Sequence, residues 1–494
     1  MGNSTKKYWT GLEDLHETSE FKKSRDNEFA EDLPVEEFLN DNRLGSTTTG
    51  RRDFLKFLGF GLGAATLAAC ETPVIKSIPY VNKPEEITPG VANYYASSYF
   101  DGFDFASVLV KTREGRPIHI KGNKQYGVGG GRTNARINAS VLSLYDSERV
   151  QSPISDGAQV DWDLMDGKVV DGMQAALING QKVRLLTNTI NSPSTLAAID
   201  KLSENIASQA RGEADPDLFK HVQYDPVAYS GMLEANEESF GKAFIPDYKF
   251  KNAKTIVSVA ADFLSGWLFS NEYMGDYIEN RRPENGWMSN HFQFETLLSL
   301  TGTNADRRYP IKPSQEGVIV ASIHNHIAGK AGGSKVSVNT SDVDGVTKNA
   351  AEKLWADKGE SLMVAGSNSK GIQVLVNNIN EMLGNYGKTI STSNELNMFK
   401  SREKDIQNLI DEMNSGQVGM VIIAGANPFY SLPNADAFKA ALEKVSNRVA
   451  CSQYLDETAS LCNHICPDHH YLESWNDFQI KSDYVALSQP AISK

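Results

Sequence analysis

The sequence predicts an α/β protein with mostly parallel sheets. Two patterns carry that prediction. Apolar, strand-length runs alternate with helical patterns, and the runs end in Thr, Asn, Ser or Asp rather than in hairpin turns. The composition adds a third observation: of 494 residues, 40% are hydrophobic and 22% charged, as in a folded globular protein. That length suggests two or three lobes rather than one core. The net charge of −13 argues against a nucleic-acid partner, which would require clustered Lys and Arg.

The elements follow in order. Residues 105–112 alternate, turn at 113–116 and continue over 117–122, which predicts a β-hairpin in a small β-rich domain over 91–155. Gly127 to Gly131 offers a phosphate cradle or a flexible loop, and the missing flanking strand and helix favour the loop. A helix is predicted over 140–149. Strands are predicted at 182–187, 254–261, 362–366, 420–425 and 448–452, with helices at 196–207, 318–327, 369–382 and 435–445. The α/β pattern is divided here into lobes at 156–350 and 351–494.

In parallel sheets, ligands bind beyond the carboxyl ends of the strands. Those ends carry Thr187 and Asn188, with Asn191 in the polar turn that follows, then Asp262, Ser367 with Asn368, and Asn427. These side chains suit a large polar ligand; each also suits the cap of a following helix.

The four cysteines are Cys70, Cys451, Cys462 and Cys466. They are too few, and wrongly spaced, for a typical iron–sulfur cluster. Cys462, His464 and Cys466 are zinc-ligand types at short spacing, but the spacing departs from the common C-x2-C half-site. A buried free cysteine acting as a small hydrophobe is the competing reading.

The amino-terminal part reads as an export apparatus. Residues 1–50 are polar and acidic, predicting a disordered leader. Arg51 and Arg52 precede Phe54, Leu55 and Lys56 and a weakly apolar run ending at Ala69. That run is shorter than the roughly 20 residues of a spanning helix and suits a twin-arginine signal. Small residues before Cys70 fit lipid attachment to its thiol. Residues 71–90 then form a proline-punctuated tether.

Several stretches together resemble the molybdopterin oxidoreductase superfamily: the hairpin with 144–153, the strand end at 261–267, 426–428, 457–459 and 470–475. The resemblance is nearest to the large periplasmic subunit of alternative complex III, on the leader, 298–308 and 427–433. It adds Thr458 and Glu473 to the candidate pterin cleft and implies a C-terminal module with 4Fe–4S and 3Fe–4S clusters, so that 351–494 reads as a truncated lobe. It also implies a quinol-binding membrane subunit and cytochrome c subunits as partners. Active relatives hold cluster cysteines just before the hairpin, whereas the stretch 94–101 here contains none. The expectation is therefore an exported, lipid-anchored scaffold on the periplasmic side of the inner membrane, without metal in this chain and without a catalytic residue. An active enzyme carrying molybdopterin guanine dinucleotide and a solute-binding lipoprotein are the rivals.

Overall fold

The structure is a computed structural model that describes residues 88 and 90–493, apart from 126 and 209–214. All of these belong to one compact unit, Lys83–Lys494. The predicted leader, the signal at Arg51, Arg52, Phe54, Leu55 and Lys56, the lipid site Cys70 and nearly all of the tether lie outside the described residues.

The chain enters through β1 (Asn93–Phe100), β2 (Phe105–Arg113) and β3 (Arg116–Gly122), a three-stranded antiparallel sheet. The predicted hairpin is β2–β3. Its turn residues Glu114 and Gly115 have φ of 52° and 77°, the two positive values a type I′ turn requires. β1 pairs with β2 from Asn93 opposite Thr112 to Phe100 opposite Phe105, so the cysteine-free stretch before the hairpin is a regular strand.

Next come β4 (Ile154–Ser155), β5 (Ala158–Gln159), β6 (Lys182–Thr187), β7 (Phe219–Gln223), β8 (Ile245–Tyr248), β9 (Thr255–Val259), β10 (Asn290–Glu295), β11 (Arg307–Pro310) and β12 (Ser361–Ala365). The remaining strands are β13 (Ile390–Leu396), β14 (Val418–Ala424), β15 (Asn447–Ser452), β16 (His464–Pro467), β17 (Asn476–Lys481) and β18 (Tyr484–Ser488). They form a seven-stranded sheet ordered β5-β4-β16-β15-β14-β6-β7, a four-stranded sheet ordered β11-β10-β9-β12 and an antiparallel sheet ordered β18-β17-β13-β8. The four-stranded sheet is wholly parallel, and β16-β15-β14-β6-β7 run parallel in the larger one.

Burial explains the apolar runs. Every residue of β9 and of β12 is buried, and β6 is buried from Val183 to Thr187, because helices cover both faces. The helices used below are α1 (Trp162–Ile178), α2 (Ser270–Glu279) and α3 (Glu403–Asn414). The Asp161 carboxylate caps α1, accepting from the Leu164 amide at 2.8 Å.

Three details depart from the sequence expectations. Residues 156–350 and 351–494 each supply strands to both parallel sheets, because the crossover from β7 to β14 carries the whole four-stranded sheet within it. The helix expected at 140–149 is a 3-10 turn, Leu142–Tyr145, since the Ser140 and Ser143 hydroxyls donate back to the Ile137 and Ser140 carbonyls at 2.7 and 2.8 Å. The strand expected to reach 261 stops at Val259, where Ala260 turns left-handed with φ 55°. Gly366 passes so close there that a Cβ would lie 2.2 Å from the Ala260 carbonyl oxygen.

Candidate functional site

In the seven-stranded sheet, the chain leaves β6 for β7 on one side and later returns to β14 on the other. This reversal makes the β6/β14 junction a topological switch point, where loops diverge and leave a crevice. A cleft of about 480 Å³ opens there, lined by Asn188 after β6, Gly425 and Asn427 after β14, Cys451 on β15, and Thr458. Gly425 has φ 65°, and a Cβ on it would meet Asn188 Oδ1 at 3.1 Å.

The loops of this cleft are closed on themselves. Thr189 donates its amide to Asp225 Oδ1 at 2.8 Å and its hydroxyl to Oδ2 at 2.6 Å. The Ile190 amide donates to Gln223 Oε1 at 2.9 Å. Across the cleft, Asn427 Oδ1 accepts from the Thr458 amide at 3.2 Å and hydroxyl at 2.6 Å, while its Nδ2 donates to Glu457 at 2.8 Å. The Phe429 amide, at the start of the short helix Pro428–Ser431, donates to Thr458 Oγ1 at 3.0 Å. Four backbone donors of these loops, the amides of Thr189, Ile190, Thr458 and Phe429, are therefore taken by nearby side chains.

The opposite wall holds residues that the sequence reading did not assign to the cleft. The Tyr99 hydroxyl donates to Asp101 Oδ2 at 2.9 Å, and burial pushes its pKa well up. His470 accepts from the Leu472 amide on Nδ1 at 3.2 Å, which leaves Nε2 to donate to Ser143 Oγ at 2.9 Å. Burial lowers the His470 pKa to about 4, so the ring is neutral at pH 7. Tyr471 bonds Ser140 Oγ at 2.7 Å, and burial raises it to about 12. The charge is one-sided: Asp101, Asp456 and Asp468 line the cleft, and no Lys or Arg does so among the described residues. Such a lining suits a neutral or cationic polar ligand and opposes a phosphate.

The predicted site residues divide among several places. Asn188, Asn427 and Thr458 line the cleft. Thr187 lies buried beneath it, donating to the Asn188 carbonyl at 2.6 Å and bonded to His221 Nε2 at 2.7 Å. Asn191 is buried with Nδ2 unpartnered. Glu473 faces a neighbouring groove and pairs with Arg149 at 2.5 Å. Asp262 belongs to the end of the other parallel sheet, where it accepts from the Thr301 hydroxyl at 2.7 Å. Ser367 and Asn368 follow β12 of that same sheet. The Ser367 carbonyl accepts from Gln373 at 2.6 Å, and Asn368 accepts from the Gly231 amide at 2.8 Å and donates to Glu403 at 2.5 Å. Caps and ties of this kind account for the outlying Asn, Ser and Asp residues.

The Cys and His corner also resolves into separate contacts. The Cys462 thiol donates to the Thr458 carbonyl at 3.6 Å, His464 Nδ1 bonds Ser155 Oγ at 3.1 Å, and Cys466 lies beside Cys451. Among the described residues, no three or more His, Cys, Asp or Glu side chains converge to hold a metal ion. His469 is exposed beside the groove that Glu473 lines, whereas His470 is buried. Its signal in the sequence was the run of Asp468, His469, His470 and Tyr471 closing a strand.

No family model matches the chain. The chain is 24% identical over 484 residues to the menaquinone reductase, molybdopterin-binding-like subunit, of Nitratidesulfovibrio vulgaris, covering 86% of this chain and 66% of that one. Acetylene hydratase from Pelobacter acetylenicus superposes with a TM-score of 0.56 at 9% identity, covering 81% of this chain and 66% of that one. The chain thus spans about two thirds of the length of each. Likeness in sequence to the one and in fold to the other shows that the chain has a molybdopterin-oxidoreductase-like fold.

Proposed function

We propose that this chain is a scaffold subunit of an exported, quinone-linked oxidoreductase complex, using the molybdopterin-enzyme fold without a molybdenum cofactor. The observation that carries the second half is the cleft at the switch point. A pterin dinucleotide brings a pyrophosphate, which needs cationic side chains or free backbone N–H groups. Here the described lining carries three Asp and no Lys or Arg, and the loop amides of Thr189, Ile190, Thr458 and Phe429 already have partners. The residues present do not fit that group.

The quinone link is supported by the relative's description as a menaquinone reductase subunit. Export through Arg51 and Arg52, anchoring through Cys70 and a periplasmic position in an assembly like alternative complex III belong to the same proposal, as do iron–sulfur and cytochrome c partners. Among the described residues no helix is long and apolar enough to cross a membrane.

The test is purification of the tagged chain from native membranes in mild detergent, with metal analysis. Co-purification with quinone-reactive and haem subunits, without stoichiometric molybdenum, is expected, and Cys70→Ala should release the chain from the membrane fraction. Stoichiometric molybdenum would sink the scaffold reading in favour of an active oxidoreductase. Recovery of the chain alone with a bound small solute would favour a solute-binding lipoprotein.

A further inference from the structure

Cys451 and Cys466 are direct partners on the parallel strands β15 and β16. Residues paired this way project to the same face of a sheet, with Cα atoms about 4.7–4.9 Å apart. A disulfide joins Cα atoms about 4.4–6.8 Å apart, so the ladder already holds this pair within bonding range. Both thiols are free and half-buried. The two thiols act on each other across the ladder, which raises the Cys451 pKa and lowers that of Cys466. The two sulfurs therefore differ: Cys466 is the better thiolate, and Cys451 is the proton-bearing neighbour. Cys462 stands apart, its S–H spent on Thr458 and its pKa pushed up to about 12 by burial.

We propose that Cys451 and Cys466 form a reversible dithiol–disulfide site at the edge of the cleft, oxidised by low-molecular-weight disulfides. In the first step the Cys466 thiolate attacks one sulfur of RSSR. The S–S bond of RSSR breaks, RS⁻ leaves, and Cys466 carries a mixed disulfide. In the second step Cys451 gives its proton to solvent and attacks the Cys466 sulfur, expelling the second RS⁻. Two protein thiols are oxidised by two electrons, and RSSR is reduced to two thiols. The new bond ties β15 to β16 at Cys451, which lines the cleft. This inference rests on strand register and does not depend on the scaffold proposal.

The test uses the folded full chain, oxidised glutathione as the probe, and acid quench, alkylation and peptide mass mapping as the readout. A Cys451–Cys466 linked peptide that dithiothreitol reverses is expected, with Cys462 alkylated throughout. Cys451→Ser should stop at a glutathione adduct on Cys466. Cys466→Ser should slow adduct formation at position 451 by about tenfold, because the remaining thiol lacks the lowered pKa. Circular dichroism matching the parent confirms that each variant folds. Linkage through Cys462, an adduct on Cys451 in Cys466→Ser at the parent rate, or reaction only after unfolding in urea would each overturn the proposal.

Discussion

Asp276 is the group whose replacement should stabilise this protein most clearly, and only in one pH range. It sits on α2, 9% exposed, with Oδ2 unpartnered. Its surroundings are already committed. Lys481 lies 3.0 Å from Asp247 and 2.6 Å from Glu272, and Lys249 pairs with the same Asp247. Asp276 therefore meets burial first and the Glu272 carboxylate second, with Lys251 and Lys249 opposing them, and its pKa rises from 3.8 to about 6. A raised carboxyl pKa means that the fold prefers the protonated form. The associated stability is present below the unfolded pKa and is lost as pH rises from about 4 to about 6. A shift of about two units corresponds to about 3 kcal/mol. Asp276→Asn keeps the shape without the charge. It should be more stable than the parent by about 2–3 kcal/mol at pH 8, and equal to it near pH 3.5, in urea unfolding followed by fluorescence. An equal difference at both pH values, or a loss at pH 8, would refute the reasoning.

Three further outcomes follow from other contacts. His470 has the opposite sign: its pKa falls from 6.5 to about 4, so its contribution is present above pH 6.5 and disappears as pH falls through 4; His470→Gln should lose stability at pH 7.5 and recover about 3 kcal/mol of the gap by pH 4 in the same unfolding assay. Arg184 is fully buried, with Glu412 at 2.7 Å and Asp217 at 3.3 Å, so Glu412→Ala should cost about 3–5 kcal/mol, while Arg184→Met with Glu412→Leu recovers most of it in thermal denaturation. Asn427→Ala removes the acceptor for the Thr458 amide and hydroxyl and should cost about 1–3 kcal/mol, seen locally as faster hydrogen exchange at Thr458 and Phe429.

Among the parallel strands, β6, β9, β12 and β14 were legible because burial on both faces writes itself as largely apolar sequence, whereas β7, β10, β11 and β16 were not predicted. The antiparallel strands β8, β13, β17 and β18 were not. β13 reads Ile-Ser-Thr-Ser-Asn-Glu-Leu, with buried residues only at its ends, so no period of two marks it. Non-local pairing decides such a strand. The same limit applied to the site. Strand-end chemistry located Asn188 and Asn427, but whether Asp262 and Asn368 share their cleft depends on which sheet each strand joins, and that is set by the long crossover from β7 to β14 over residues 224–417. His470 and Tyr99 reach the cleft from segments about 370 positions apart in the chain, a juxtaposition that local pattern does not encode.

Asp225, Gln223 and Thr458 bear on what the cleft can hold. A loop that binds an anion must leave N–H groups unpaired until the ligand arrives, and such a loop is less stable when empty. Here each of these side chains accepts from a loop amide, and Asn427 ties one loop to the next. These bonds tie the strand-end loops together without a ligand. Topology thus says where a ligand would sit, and hydrogen-bond accounting says what the position now favours. Restoring a phosphate site would require freeing those amides and reversing the charge at Asp456 or Asp468. A single Asp468→Lys change, leaving the amides engaged, should therefore produce no measurable affinity for a guanine dinucleotide by calorimetry; tight binding by that variant would show that charge alone had excluded it.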